Sequence, residues 1–421
     1  MMTTPKFLQI HTLTSYPATL LNRDDAGFAK RLPFGGATRT RVSSQCLKYH
    51  WRHFEGENAL YDMDVPKSYR SRRTFNQLVI DPLVDQGYPR PLTRAAVFAL
   101  QQRVLNGKKA GKTDTKKLLQ PGEDDDPAEM LETGQITIFG EPELRYLREL
   151  AAERLDEIRE DYPHLWSDEG TQFGEEFDDV VERVRDFSKG DLKKALTGLE
   201  LATGLDAAMF GRMATSDVLA RGDAAVHVAH ALTTHAQETE SDYFLAADEL
   251  KSDTGELGGG HINSAELTSG LFYSYQVIDV PLLVSNLTGK SRDDWQDAER
   301  DLAAEVVRRM IHLVTTVSPG AKLGSTAPYS RAQALLVEAG TSQPRTLANA
   351  FQTPASRENV LEDSYRKLGR YVSQMDGMYG VDTERRLAAM GDTAGLADAV
   401  KAGELRSVPE IADWASNLIR E

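Results

Sequence analysis

The sequence predicts an α+β fold: helices laid on one face of a single sheet, with two long interruptions between its strands. Three observations carry this. A strand pattern lies at residues 6–14 and a stronger one at 271–280, the second followed by a helical pattern at 292–315. Between 53 and 200 the texture changes to polar stretches and recurrent helical signals. Residues 236–268 are acidic, polar and glycine-rich, without a core pattern of their own.

In residues 6–14, Leu8, Ile10 and Thr12 fall on one face by period-two alternation. Tyr16-Pro17 reads as a turn, and Leu32-Pro-Phe-Gly-Gly36 as a loop by its Pro and Gly content. Residues 43–52 start a helix, with Ser43 or Ser44 as cap and Cys46, Leu47 and Trp51 as its apolar stripe. Helical signals follow at 93–106, 141–160 and 175–187. In the second, Leu144, Leu147, Leu155 and Ile158 recur at helical spacing, and Pro142 suits a first turn. Lys108, Lys109, Lys112, Lys116 and Lys117 precede Glu123-Asp-Asp-Asp126, opposite-charge blocks that read as a mobile loop. An Ala- and His-rich helix is expected at 224–233. The strand 271–280 is rich in β-branched and aromatic residues. The next helix, capped by Ser291, presents Trp295, Leu302, Val306, Met310 and Leu313 until Pro319-Gly320 stops it. A strand or loop at 321–337 and a mostly helical C-terminal portion complete the chain, which has no internal repeat.

Composition narrows the function classes. Apolar residues make up 40% and charged residues 27% of 421, as in a soluble globular protein. No stretch is apolar enough to span a bilayer, and Phe7–Ile10 is too short and too polar in its surroundings for a signal peptide. A single cysteine, Cys46, excludes an internal disulfide and a cysteine zinc site. A cytoplasmic location without membrane partners is expected. The net charge is −15, yet residues 1–52 hold eight basic side chains (Lys6, Arg23, Lys30, Arg31, Arg39, Arg41, Lys48, Arg52) against Asp24 and Asp25. That segment is therefore +6 and the remainder −21. Two readings fit this asymmetry: a cationic face for phosphate on an acidic body, or a solvated basic edge.

The segment 20–52 is the densest candidate site. A cation every few residues on a strand–loop–helix frame can follow a phosphate backbone without reading bases. Ser43 and Gln45 add neutral donors near a helix N-terminus. Asp24 and Asp25 offer the alternative of a divalent metal for phosphodiester cleavage. Neighbouring residues tend to point apart, however, and no third carboxylate is close in sequence, so a turn cap or a pairing with Arg23 or Arg39 is preferred. His227, His230, His235 and His261 invite a zinc reading, but no hydrolase pattern or cysteine accompanies them, and a hydrogen-bonding role is favoured. Thr288-Gly-Lys-Ser291 lacks the leading glycine of a phosphate loop, since position 284 is Val. Phe272, Tyr273 and Tyr275 could stack on bases, but core packing is the better reading. No cofactor or metal is expected.

Leu21-Asn-Arg-Asp-Asp25, Phe34-Gly-Gly36 and the run from Arg39 to Lys48 resemble the N-terminal signature of the backbone subunit of type I-E CRISPR Cascade, the CasC family. The resemblance returns in order at Gly211–Ser216, Ala229–His235, Ser269–Tyr273 and Pro319–Lys322. It implies an RRM-like (ferredoxin-like) palm at 1–53, 211–235 and 269–421, helical fingers at 54–210 and a β-hairpin thumb at 236–268. It further implies a non-catalytic subunit that repeats along a guide RNA and supports its pairing with target DNA. The partners would be further copies of the chain and the large, small and guide-end-binding subunits. By motif position, Lys30, Arg41, Ser43, Gln45, Lys48 and Arg52 would hold the guide, and Met213 would lie beside a kinked base. Tyr243 and Phe244 would form the thumb's wedge. The lysines at 108–117, or Arg183, Arg185, Lys189, Lys193 and Lys194, could meet double-stranded DNA or simply form solvated faces.

Overall fold

The computed structural model describes residues 4–167, 171–199, 201, 203–213, 216–219, 222–245 and 262–421. Its contacts divide the chain into two compact units: Met1–Met63, Val226–Pro281 and Glu299–Glu421 form the first, and Asp64–Ala225 with Leu282–Ala298 the second. Its strands are β1 (Phe7–Thr19), β2 (Arg31–Phe34), β3 (Ala37–Val42), β4 (Ser68–Ser71), β5 (Thr137–Gly140), β6 (Val226–Val228), β7 (Ala231–Thr233), β8 (Thr239–Leu245), β9 (Ile262–Asp279), β10 (Ala334–Gly340) and β11 (Thr383–Ala389). Among the described residues no helix is long and apolar enough to cross a membrane.

The first unit is built on a sheet of nine strands among the described residues, ordered β11-β10-β1-β9-β7-β3-β2, with β6 and β8 also paired to β9. All its pairings are antiparallel. Helices cover both faces rather than one. On the even-numbered face of β1, Thr12, Thr14 and Tyr16 line a space with Leu47 and Trp51 of α1 (Ser44–Arg52) and Val314 of the Asp301–Thr316 helix. On the odd face, Leu13 joins a core with Tyr365, Leu368 and Val372 of the Val360–Tyr379 helix and Leu396 of the Ala394–Val400 helix. The alternation in β1 suggested one buried face because Gln9 and His11 are polar. Both are buried nonetheless, held by hydrogen bonds.

Those bonds belong to an enclosed polar network. Glu338 on β10 is fully buried and accepts two bonds from the Arg345 guanidinium (2.8 and 3.0 Å) and one from Arg385 Nε (2.7 Å). Arg385 in turn makes a bidentate pair with Asp376 (2.7 Å each). His11 Nε2 donates to Glu338 (3.2 Å), while its Nδ1 accepts from Tyr273 Oη (2.8 Å). Burial drives the His11 imidazole below its ordinary pKa, in keeping with this neutral tautomer. Burial alone would raise the Glu338 carboxyl, but its bonds from His11 and Arg345 outweigh that and hold it below the usual range.

Several local expectations change for identifiable reasons. The segment 32–36 is half of a hairpin: β2 and β3 join through Gly35 (φ +60°) and Gly36 (φ +77°), the two left-handed positions that a tight hairpin turn demands. A Cβ on Gly35 would sit 1.6 Å from the Gln352 carbonyl oxygen. Gly35→Ala is therefore expected to cost about 3 kcal/mol or more, read as a fall in the urea midpoint. A loss under about 1 kcal/mol would refute this account. Residues 224–233 form β6 and β7 instead of a helix, since tertiary pairing with β9 overrides the propensity of alanine. The helix expected at 292–315 is split into a 3₁₀ turn, Arg292–Asp297, capped by Ser291, and an α-helix, Asp301–Thr316. The Val280–Thr288 helix and β11 had no counterpart in the expectation.

The second unit is mainly helical. Its Arg90–Asn106, Glu141–Asp161, Phe177–Val184 and Lys189–Gly198 helices enclose a core that includes Leu100, Leu144, Leu147, Leu155, Ile158 and Val180. The lysine block is no mobile loop: Lys112–Leu119 is a helix with Leu118 and Leu119 buried. Three of its cations are matched by acids remote in sequence and one by a nearby acid. Lys109 and Lys112 pair with Glu182, Lys116 with Asp178 and Lys117 with Asp125.

Candidate nucleic-acid interface

The site in the first unit grows from Asn22. Its backbone carbonyl accepts from Lys30 N (2.9 Å), and its side-chain Oδ1 accepts from Ser43 N (3.0 Å). Lys30 in turn accepts from Arg41 N (2.8 Å). The intervening loop is tied by Asp24, whose Oδ1 accepts from Ala26 N (3.0 Å) and Phe28 N (2.9 Å). Asp24 thus serves as a turn cap, and Arg39 is not its partner. Arg39 is fully buried and donates to the carbonyls of Phe34, Thr233 and Phe351 at 3.2, 3.0 and 2.7 Å. One of the eight N-terminal cations is therefore spent inside the fold. Glu266 of β9 holds the other side of the loop, accepting from Ala29 N (2.7 Å) and lying 3.9 Å from Arg31.

Ser43 is the helix cap, its Oγ accepting from Cys46 N (3.3 Å). Leu47 and Trp51 bury one side of α1. Gln45, Lys48 and Arg52, at i, i+3 and i+7, share the face next to it. Gln45 is exposed, and Lys48 and Arg52 are half-buried. Arg41 Nη1 donates to His230 Nδ1 (3.2 Å). Partial burial, then the nearby Arg41 and Lys30 charges, lower the His230 pKa, so the ring accepts that bond without adding a competing cation. Burial pushes the Cys46 thiol up to about 11, which keeps it protonated and unsuited to nucleophilic work.

Two further residues reach this margin. Gly320 N donates to His50 Nε2 (3.4 Å) and Ala321 N to Leu20 O (2.9 Å), which sets the half-buried Lys322 beside α1. Neither His230 nor Lys322 stands near the basic segment in sequence; only the Pro-Gly-Ala-Lys block hinted at Lys322. Tyr243 is exposed on β8, opposite Ser264 of β9. Phe244 shares that strand at backbone level, opposite Asn263, and its side chain lies outside the described residues, as does His261. His235 makes structural bonds, to Ala236 O (2.8 Å) and from Leu271 N (3.2 Å). Among the described residues no group of three or more His, Cys, Asp or Glu is placed to hold a metal ion. Phe272, Tyr273 and Tyr275 are core residues.

In the second unit, Met213 is 97% exposed immediately after a firmly anchored residue. Arg212 is buried against Glu143 (2.6 Å, both side chains 1% exposed) and exchanges backbone bonds with Gly222. Burial raises the Glu143 carboxyl, opposed by Arg212. Met213 lines a groove with Ile136, Phe139, Phe210 and Leu219. Four members of the other basic cluster are paired, Arg183 with Asp161 and Asp179, Arg185 with Glu182, and Lys189 and Lys193 with Asp217, while Lys194 is exposed.

A family described as CT1975-like protein matches residues 8–414. No curated protein sequence matches the chain. A solved chain from a "CRISPR RNA-guided surveillance complex, pre-nicking" is 26% identical, with a TM-score of 0.71 over 98% of this chain and 99% of that one. A second, from a "CRISPR RNA-guided surveillance complex", is 19% identical with a TM-score of 0.54 over 98% of each chain and shares the fold.

Proposed function

The chain belongs to the CT1975-like family, and on that premise we propose that it is a non-catalytic backbone subunit of a type I-E CRISPR Cascade complex. It binds the guide RNA and repeats along it, each copy supporting the pairing of guide with target DNA. The observation that carries this is the assembly of Gln45, Lys48 and Arg52 on one capped helix with Arg41 on the preceding strand and Lys30 bonded to it, in an otherwise acidic chain. Arg forks and Lys point charges hold phosphates without reading sequence, as a subunit requires when specificity belongs to base pairing. The full-length likeness to a chain of an RNA-guided surveillance complex supports the same reading.

The strand order β10-β1-β9-β7 supports an RRM-like palm, the helical second unit supports fingers, and the β8–β9 hairpin supports a thumb carrying Tyr243. Met213, held out by its buried neighbour, suits an apolar wedge beside a kinked base. Target DNA and the other Cascade subunits are the remaining partners. Because the second unit's basic side chains are so widely paired with its own acids, the guide-holding work is assigned to the first unit. The test is purification with a co-expressed guide, followed by imaging and incubation with Mg²⁺. Repeated copies along an intact RNA are expected. Cleavage that disappears in Asp24→Ala would refute the non-catalytic assignment.

A further inference from the structure

Tyr49 is an unusual residue on the basic helix. It is 56% exposed and stacks on His53 with ring centroids 4.2 Å apart and planes at 27°. The stack is fixed rather than incidental. Both His53 N (3.1 Å) and His53 Nδ1 (2.8 Å) bond to the Tyr49 carbonyl at the end of α1. At 100° per residue, Gln45, Tyr49 and His53 form a row directly beside the row of Lys48 and Arg52, on the side away from buried Leu47 and Trp51. A two-ring plate therefore flanks the charges that would hold a phosphate. Its order is set before any ligand arrives, which lowers the entropic cost of stacking.

We propose that the Tyr49–His53 plate stacks an unpaired base of the single strand whose phosphates Lys48 and Arg52 hold. The ligand is any nucleobase, since every base offers a π-face and the plate presents an aromatic surface in place of an ordered set of donors and acceptors. Backbone charge and aromatic face together make a sequence-tolerant holding site for one nucleotide. The proposal rests on the RNA-holding reading above, and the experiment separates the two.

The full-length chain would be titrated with single-stranded RNA of mixed sequence carrying 2-aminopurine at one position at a time. Stacking is expected to quench the probe at a defined register. Tyr49→Ala and Tyr49→Leu should abolish that quenching and weaken binding about tenfold while leaving the salt slope unchanged. Tyr49→Phe and Tyr49→Trp should retain both. Matched thermal unfolding of the Leu and Phe variants guards against a folding defect. Wild-type affinity and quenching in Tyr49→Ala or Tyr49→Leu would overturn the proposal, as would a loss in Tyr49→Phe equal to that in Tyr49→Ala. So would a loss confined to association between copies, which would make the plate a protein contact. If Lys48→Ala lowers affinity and salt slope while Tyr49→Ala changes nothing, stacking alone fails. If neither variant affects binding, the RNA-holding reading fails with it.

Discussion

Combining Lys48→Ala with Arg41→Ala is expected to weaken guide RNA binding about 10- to 100-fold at physiological salt and to flatten its salt dependence by roughly the slope of two lost phosphate contacts. The two residues approach the margin from different elements, Lys48 from α1 and Arg41 from β3, so the double substitution removes charge from both walls of the site. Neither side chain is fully buried, and the caps at Asn22 and Ser43 stay in place, so the fold should survive. The measurement is a binding titration across a salt series with several unrelated guide sequences. A uniform loss is the expected outcome, because phosphate contacts carry no sequence information. A loss that varied with guide sequence would sink the backbone-holding mechanism.

The second large effect concerns stability. Glu338 is enclosed by Arg345, Arg385 and His11 with no solvent exposure. Glu338→Gln keeps the shape but removes the anion, leaving two guanidinium groups to share Asp376 and neutral partners. A loss of about 3–5 kcal/mol is expected, the usual consequence of stranding one side of a buried ion pair. Urea unfolding would measure it, and a change below about 1 kcal/mol would show that the network relaxes freely. The folded carboxyl lies below its ordinary value, so its contribution is complete above the ordinary glutamate range and fades as pH falls through the folded value. Glu338→Gln should accordingly flatten the acid limb of the stability profile.

How much of this was legible in the sequence depended on whether the signal was local. The α1 cap and apolar stripe, the Glu141–Asp161 helix and the aromatic core strand followed from spacing and propensity, which act within a few residues. The two glycines at 35 and 36 suit a loop and a hairpin turn equally, and only the pairing of β2 with β3 decides. The alanines and histidines at 226–233 favour a helix locally and say little about the β9 edge that captures them as strands. The lysine block reads as mobile because two of its three carboxylate partners, Glu182 and Asp178, lie some 60 to 70 positions away.

The sequence by itself determined that the N-terminal segment is cationic on an acidic chain and that Lys48 and Arg52 share a helix face with Gln45. Both properties are set by composition and by a period of 3.6. Tertiary structure alone decided which cations are available. It withdrew Arg39 into three carbonyls, set His230 against Arg41 and brought Lys322 beside α1. The physical reason is that a charge is available or spent according to the groups that surround it in space, and antiparallel pairing over hundreds of residues chooses those groups.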